Sequence, residues 1–248
     1  MTRPPAPHEI GLLEGIATTR AIRRFTDEPV SDADLAAVFF AATRAPSGSN
    51  RQPWRFIALR NDETSRRAKR LLGETARRMW ALKRRGDRYD EGSGRRPDSP
   101  KARMARSMQR FAENFESAPV IVLVCFLRYR EESHFEGASI FPCCQNLLLA
   151  ARARGLGGVL TGFQAGAEAE LRELLGIPDE VVLSAAIPLG HPEGGHGPVR
   201  RRPLREFVYQ GRWGETPDWA VDPPGTRHAK AGPPGHRTFL DQGAGDGA

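Results

Sequence analysis

The sequence predicts a sheet sandwiched between two layers of helices, an α/β/α arrangement, and three observations carry that prediction. Residues 118–127 (APVIVLVCFL) and 180–190 (EVVLSAAIPLG) are almost unbroken apolar runs of strand length, so both faces of those strands must be covered. Segments with helical periodicity precede, separate and follow them. A chain of 248 residues, 39% of them hydrophobic, can build one core at the upper end of single-domain size.

The elements follow in order. In residues 8–19 (HEIGLLEGIATT), Ile10, Leu13 and Ile16 recur every third position and predict a short amphipathic helix. A second helix opens at Ser31, with Asp34 three residues on as an acidic variant of the capping box. It carries Leu35, Val38, Phe39 and Ala42 on one face and ends at Pro46 and Gly48. Residues 55–60 (RFIALR) read as a short strand and 63–85 as a long basic helix. Residues 86–100 (GDRYDEGSGRRPDSP) lack periodicity and are rich in Gly and Pro, which predicts a mobile loop; a helix resumes over 101–117.

After the strand at 118–127, residues 138–155 form a helix with Ile140, Leu147, Leu148 and Ala151 on its apolar stripe. Gly155 closes it as a left-handed cap, and Pro142 is compatible only with its first turns. Residues 156–163 (LGGVLTGF) are strand or extended loop, and 167–176 a short helix ending at Gly176. Beyond Gly190 the chain turns to Gly, Pro and Arg. Residues 214–248 are expected to form a Pro/Gly-rich tail, extended on a surface or disordered.

Composition excludes several classes. No window approaches the roughly 18 consecutive apolar residues of a membrane span, and the N-terminal MTRPPAPHEI lacks the apolar centre of a signal peptide; a soluble cytoplasmic protein is expected. Cys125, Cys143 and Cys144 lie in apolar segments without metal-ligand spacing and are expected to be buried, reduced thiols. The net charge of +7 concentrates between Arg77 and Arg110, where twelve Lys and Arg face four Asp and Glu. An aromatic content of 8%, without a stripe interleaved among these bases, argues against single-stranded nucleic acid. A basic nucleic-acid or ligand-binding module without catalysis remains the alternative from another class. No catalytic triad, carboxylate pair or metal cluster stands out, and neither GxGxxG after the first strand nor GxxxxGK[ST] occurs. If a phosphate binds this chain, side chains must hold it.

Two clusters have the chemistry to do so. Guanidinium groups present planar donor forks that match phosphate oxygens, and Arg20, Arg23 and Arg24 form one set, Arg200, Arg201 and Arg202 another. Between the second helix and the first strand, RAPSGSNRQPWRF offers Pro46, Ser47, Ser49, Asn50, Gln52, Pro53 and Trp54, hydroxyls and amides that suit a flat heterocycle.

These motifs together resemble the FMN-dependent nitroreductase family: TTRAIRRF, APSGSNRQPWRFI, QNLLLAARARGLGG leading into VLTGF, and IPLGHPE followed by RRRPL, in the family's order over roughly residues 8–212. The resemblance implies an α+β sandwich with a mixed, mostly antiparallel sheet and a C-terminal arm, RPLREFVYQGRW, extended onto a partner subunit. It assigns FMN phosphate and ribityl contacts to Arg20, Arg23 and the backbone of Ala21, where relatives often carry serine. That change removes a hydroxyl ligand, about 1 kcal/mol. Arg200 and Arg202 become a second clamp and Arg201 faces away, while Arg24 falls on a variable position and is simply exposed. Pro46, Ser47, Ser49 and Asn50 would reach the flavin of the other subunit in a homodimer, braced by Gln52 and Trp54. One of Leu160, Thr161 or Gly162 would donate its N–H to flavin N5.

The implied activity is ping-pong transfer of hydride from NADH or NADPH, through the flavin, to a small-molecule nitroaromatic or quinone acceptor. The flavin carries the chemistry, so no catalytic side chain is assigned. The resemblance further implies a domain over residues 1–213 whose segment at about 80–115, which covers the flavin in relatives, is a mobile lid; a lid this basic favours NADPH or an anionic acceptor. The specialised alternative is a flavin-dependent reductive dehalogenase, with Tyr89, Glu91 and Lys101 of the types that would clamp a zwitterionic amino acid.

Overall fold

The computed structural model describes residues 10–133 and 135–229. Its sheet has four strands, β1 (Trp54–Leu59), β2 (Val120–Leu127), β3 (Gly157–Gly158) and β4 (Val181–Gly190), in the order β1-β2-β4-β3. All three pairings within the chain are antiparallel. Side chains alternate across a strand, so β2 serves two cores at once. Val120, Val122, Val124 and Phe126 face helices α2 (Asp32–Ala42) and α5 (Glu136–Ala153). Ile121, Leu123 and Cys125 face α3 (Glu63–Gly86), α4 (Pro100–Glu113) and α6 (Glu168–Leu175). The three layers predicted from the apolar runs are present. Fully buried residues such as Leu72, Ile121 and Leu147 each contribute about 1.5–3 kcal/mol, which makes the central strands the most costly to disturb.

Helix starts obey local chemistry. Ser31 caps α2, its hydroxyl accepting the Asp34 N–H at 3.0 Å and donating to the Asp34 carboxylate at 2.6 Å. Asp62 caps α3 through the Ser65 N–H, and Ser99 caps α4 ahead of Pro100. Gly155 and Gly176 follow α5 and α6 with φ of 75° and 62°, a left-handed conformation that glycine adopts without penalty. Pro142 stands in the second turn of α5.

Three features differ from, or sharpen, the sequence expectations. Helix α1 is shorter than the periodicity suggested, Leu12–Thr18, and its Leu12, Leu13 and Ile16 are exposed, so its apolar face has no cover among the described residues. Residues 1–9, including most of the N-terminal segment, lie outside the described residues. Within 86–100, composition hides an anchor: Tyr89 is buried against Trp80, ring centroids 5.2 Å apart, Arg84 grips the Asp90 carboxylate with two nitrogens, and residues Gly92–Arg95 form a 3₁₀ turn. The three cysteines are buried and unpaired, and burial pushes their thiols up to about 11, 12 and 11 for Cys125, Cys143 and Cys144.

From residue 201 the described chain contains one short 3₁₀ helix, Leu204–Glu206, several turns, and hydrogen bonds local to residues 201–229. The expectation for the end of the tail, 230–248, lies outside the described residues. Among the described residues, no helix is long and apolar enough to cross a membrane.

Candidate functional site

The segment between α1 and α2 is extended and lies between two others. On one side the Ile22 N–H donates to the Gly158 carbonyl of β3 at 3.0 Å. On the other, residues 191–199 run antiparallel to it: Val199 N–H to Ala17 O, Gly197 N–H to Thr18 O, Glu193 N–H to Arg24 O and Thr26 N–H to His191 O, all at 2.9–3.0 Å. Residues about 180 positions apart are thereby stitched into one ribbon, which carries Arg20 on one strand and delivers Arg200 at the end of the other. Arg20 and Arg200 are exposed, and among the described residues neither has a carboxylate within ion-pair distance. Arg202 lies 3.2 Å from Glu206 and over the Phe207 ring. Arg201 donates to the Arg200 carbonyl, and Arg24 sits 4.0 Å from Glu193.

Arg23 is half-buried, and burial holds its pKa below the usual guanidinium range. Its guanidinium stands 6.0 Å from the centre of the Phe111 ring, and Phe111 packs on Phe163, the residue after Gly162. The first basic motif and the Leu160–Gly162 segment are therefore neighbours. Ala21 is exposed between them in sequence, with no hydroxyl to offer.

Close approach explains the glycines of β3. A Cβ on Gly157 would meet the Ile22 side chain at 2.5 Å, and one on Gly158 would meet the Leu189 side chain and the Pro188 carbonyl oxygen, both at 2.7 Å. Backbone cannot yield as a flexible side chain does, so Gly158→Ala is expected to destabilise the protein by about 1–3 kcal/mol. It should also displace the segment that follows. Thermal unfolding of the purified variant checks this, and an unchanged midpoint would show that β3 tolerates the methyl.

Two residues on, Thr161 gives its N–H to the Ala186 carbonyl at 3.0 Å and its hydroxyl to the same oxygen at 2.7 Å. The N–H groups of Leu160 and Gly162 have no acceptor among the described residues, and a Cβ on Gly162 would meet nothing within 4 Å. Of the three candidate donors, Thr161 is committed to the sheet; among the described residues the other two are not.

The serine- and asparagine-bearing loop between α2 and β1 is strained. Ser49, Asn50 and Gln52 have φ of 52°, 52° and 50°, left-handed values that cost on the order of 1–2 kcal/mol each outside glycine. It is held in this shape by Gln52 N–H to Ser47 Oγ at 3.0 Å, Gly48 N–H to Ser139 Oγ at 3.2 Å, and the Arg51 guanidinium over Tyr129. Trp54 is buried behind it, while the Gln52 amide reaches Asn50 Oδ1 at 3.3 Å. A cleft of about 500 Å³ opens there, lined by Pro46, Ser47, Ser49, Tyr129 and Ser139.

That loop does not meet the basic ribbon within one chain. It precedes β1, one edge of the sheet, at the end where Trp54 pairs with Phe126; the ribbon flanks β3, the other edge, where Gly157 pairs with Gly190. Three inter-strand spacings separate the edges, about 14 Å before the diagonal is counted. One chain thus carries the two predicted clusters, the loop and the ribbon, at opposite corners of its sheet.

Sequence reasoning missed the residues that hold these segments in place. Arg152 of α5 donates to the Thr18 carbonyl at 3.0 Å, and His196 joins the Arg20 backbone to Leu156. Arg154, at the end of α5, pairs with buried Asp34 of α2 at 2.7 Å. None repeats at a helix or strand period, so periodicity could not reveal them.

Comparison with known proteins agrees with the fold. The family model described as "Nitroreductase family" matches residues 16–191. A protein of Archaeoglobus fulgidus named "Putative NADH dehydrogenase/NAD(P)H nitroreductase" is 29% identical over 187 residues, 73% of this chain and 85% of its own. The "Iodotyrosine deiodinase" of Thermotoga neapolitana is 26% identical over 190 residues, 76% of this chain and 91% of its own. Among solved structures, a "putative nitroreductase in complex with fmn" from Desulfovibrio desulfuricans superposes with a TM-score of 0.59 at 28% identity, covering 83% of this chain and 99% of that one.

Proposed function

Because the chain belongs to the nitroreductase family, we propose that it is an FMN-dependent, NAD(P)H-oxidising oxidoreductase that assembles as a homodimer with two composite flavin sites. The observation that carries this is the ribbon: it brings Arg20, opposite His196, and Arg200, just past the Val199–Ala17 bond, onto neighbouring segments beside the glycines of β3, and among the described residues neither has an acid to neutralise it. The residues present fit a flavin nucleotide. Arg20, Arg23, Arg200 and Arg202, with the backbone at Ala21, bind the phosphate and ribityl end as charge-assisted donors. The free N–H of Leu160 or Gly162 orients the ring at N5. Pro46, Ser47, Ser49 and Asn50 of a second copy close the pocket, and the exposed apolar face of α1 supports such an association.

FMN, when bound, accepts hydride from NAD(P)H and passes electrons to a nitroaromatic or quinone acceptor in alternating half-reactions. The chain's own part is to hold the ring, fix a donor at N5 and exclude water, which is why a site without acid or base side chains suffices. The dehalogenase alternative finds less support: Tyr89 is buried against Trp80, and the Lys101 ammonium is on the Glu91 carbonyl at 3.1 Å, so neither is presented to a zwitterion.

The purified protein is expected to show the visible absorption of an oxidised flavin, or to acquire it on adding FMN, and to elute as a dimer. A colourless protein that takes up no FMN would overturn the proposal.

A further inference from the structure

His196 sits where the two basic segments and β3 meet. Its Nδ1 accepts the Arg20 N–H at 3.2 Å, and its Nε2 lies 3.3 Å from the Leu156 carbonyl. Only one form of the ring satisfies both, the neutral imidazole with its proton on Nε2, which donates to Leu156. Leu156 leads directly into Gly157 and Gly158, and the next residue after His196, Gly197, donates to the Thr18 carbonyl. Among the described residues, no other side chain hydrogen-bonds the backbone of Arg20.

We propose that His196 is a positioning residue for the phosphate clamp: neutral, it pins the Arg20 backbone to the start of β3 and so fixes where the Arg20 guanidinium reaches; protonated, it lets go. This rests on the assignment of Arg20 to the FMN phosphate. A proton on Nδ1 would set N–H against N–H at 3.2 Å, and one of the two must move. The ring resists that proton. Burial first, then the charges of Arg152 from α5 and of Arg20 itself, disfavour the cation; the Leu156 carbonyl favours it but is outweighed, so the pKa lies below the usual imidazole range. The sign follows: with the folded value depressed, the pinned state is complete above the ordinary imidazole pKa of about 6.5 and is lost as pH falls below it and through the lower folded value. An imidazolium would also attract the phosphate. We expect the lost pin to prevail, because the arginines of both segments already supply charge there.

The test compares FMN dissociation constants of the wild type, His196→Gln and His196→Ala across the range from about pH 8 to about pH 5. Glutamine keeps one acceptor and one donor but does not titrate. Protonation of the FMN phosphate, near pH 6, weakens all three proteins alike, so the ratio of wild type to H196Q isolates the histidine. Expected are near-equal affinities at the alkaline end, and a wild type about fivefold to tenfold weaker than H196Q at the acid end, the span of one net hydrogen bond. H196A should be weaker throughout.

A ratio that stays flat with pH overturns the proposal, as does a wild type that tightens relative to H196Q in acid, which would make the imidazolium a direct phosphate ligand. Nitrogen NMR of His196 in flavin-free protein gives an independent readout: an Nε2–H tautomer whose titration moves the Arg20 amide signal is expected, and an Nδ1–H tautomer refutes the pin. If no protein binds FMN at any pH, the assignment of the clamp fails instead, and the NMR result shows separately whether the pin exists.

Discussion

Replacing Arg20 and Arg200 together by alanine is expected to weaken FMN binding by about two to four orders of magnitude, since each charge-assisted bond to a phosphate contributes about 1.5–3 kcal/mol. Each single change should weaken it by about tenfold or more. The folded protein should hardly notice. Both side chains are exposed and, among the described residues, have no ion-pair partner to strand, so the flavin-free variant should unfold within a few tenths of a kcal/mol of the wild type. Arg24→Ala is the control for general charge: it removes the same formal charge from the same segment, but its guanidinium is turned toward Glu193. A flavin titration of the four proteins decides the matter. If the double variant binds FMN within threefold of wild type, or R24A loses as much as R20A, the two arginines are not a clamp but part of a diffuse field.

How much of this could be read in the chain depends on the range of the interaction involved. Ser31 and Asp34 announce the start of α2 because a cap and its partner lie three residues apart, and the runs 118–127 and 180–190 announce central strands because burial on both faces leaves no polar positions. Strand order is different. That β4 lies between β2 and β3 follows from pairings over tens of residues, and β3 itself is two glycines with no side-chain pattern to read. The reason for those glycines, contact with Ile22 and with Leu189 and Pro188, is equally distant. In the segment 86–100, Gly, Pro and Asp dominate the composition and one buried Tyr89 is enough to anchor it. The two clusters mark the same divide. Each motif was legible as a cluster, and resemblance supplied their common purpose, but that the loop and the ribbon occupy opposite corners of one sheet emerges only from the fold.

Asp34 shows how a residue read for its local role acquires a second one, and it sets the largest expected effect on stability. Its carboxylate caps nothing alone: Ser31 Oγ donates to one oxygen at 2.6 Å and Arg154 Nε to the other at 2.7 Å, 120 residues away. Burial pushes the carboxyl up, but the hydrogen bonds from Ser31 and Arg154, with the Arg154 charge and His191, outweigh it and hold Asp34 below the usual carboxylate range. Arg154→Met keeps the aliphatic stem and leaves a buried carboxylate without its cation, a change that costs about 3 kcal/mol, at the low end for a broken buried pair because Ser31 still donates. For a chain of this size that is about 6–12 °C in melting temperature. Adding Asp34→Asn should recover part of the loss, since the orphaned charge goes with it. The pH dependence follows from the sign of the shift. Stability from the depressed carboxyl is present above its unfolded pKa near 4 and is lost as pH falls through the lower folded value, so the gap between wild type and R154M should narrow below about pH 4. A loss under about 1 kcal/mol, or a gap that does not change in acid, would show that the pair is only a surface contact. The pair matters to the site because α2 runs directly into the Pro46–Asn50 loop and α5 into Gly157 and Gly158. The buried ion pair therefore helps to fix α2, and the loop after it, relative to α5 and β3; on the proposed flavin assignment, R154M should weaken FMN binding without touching a proposed flavin ligand.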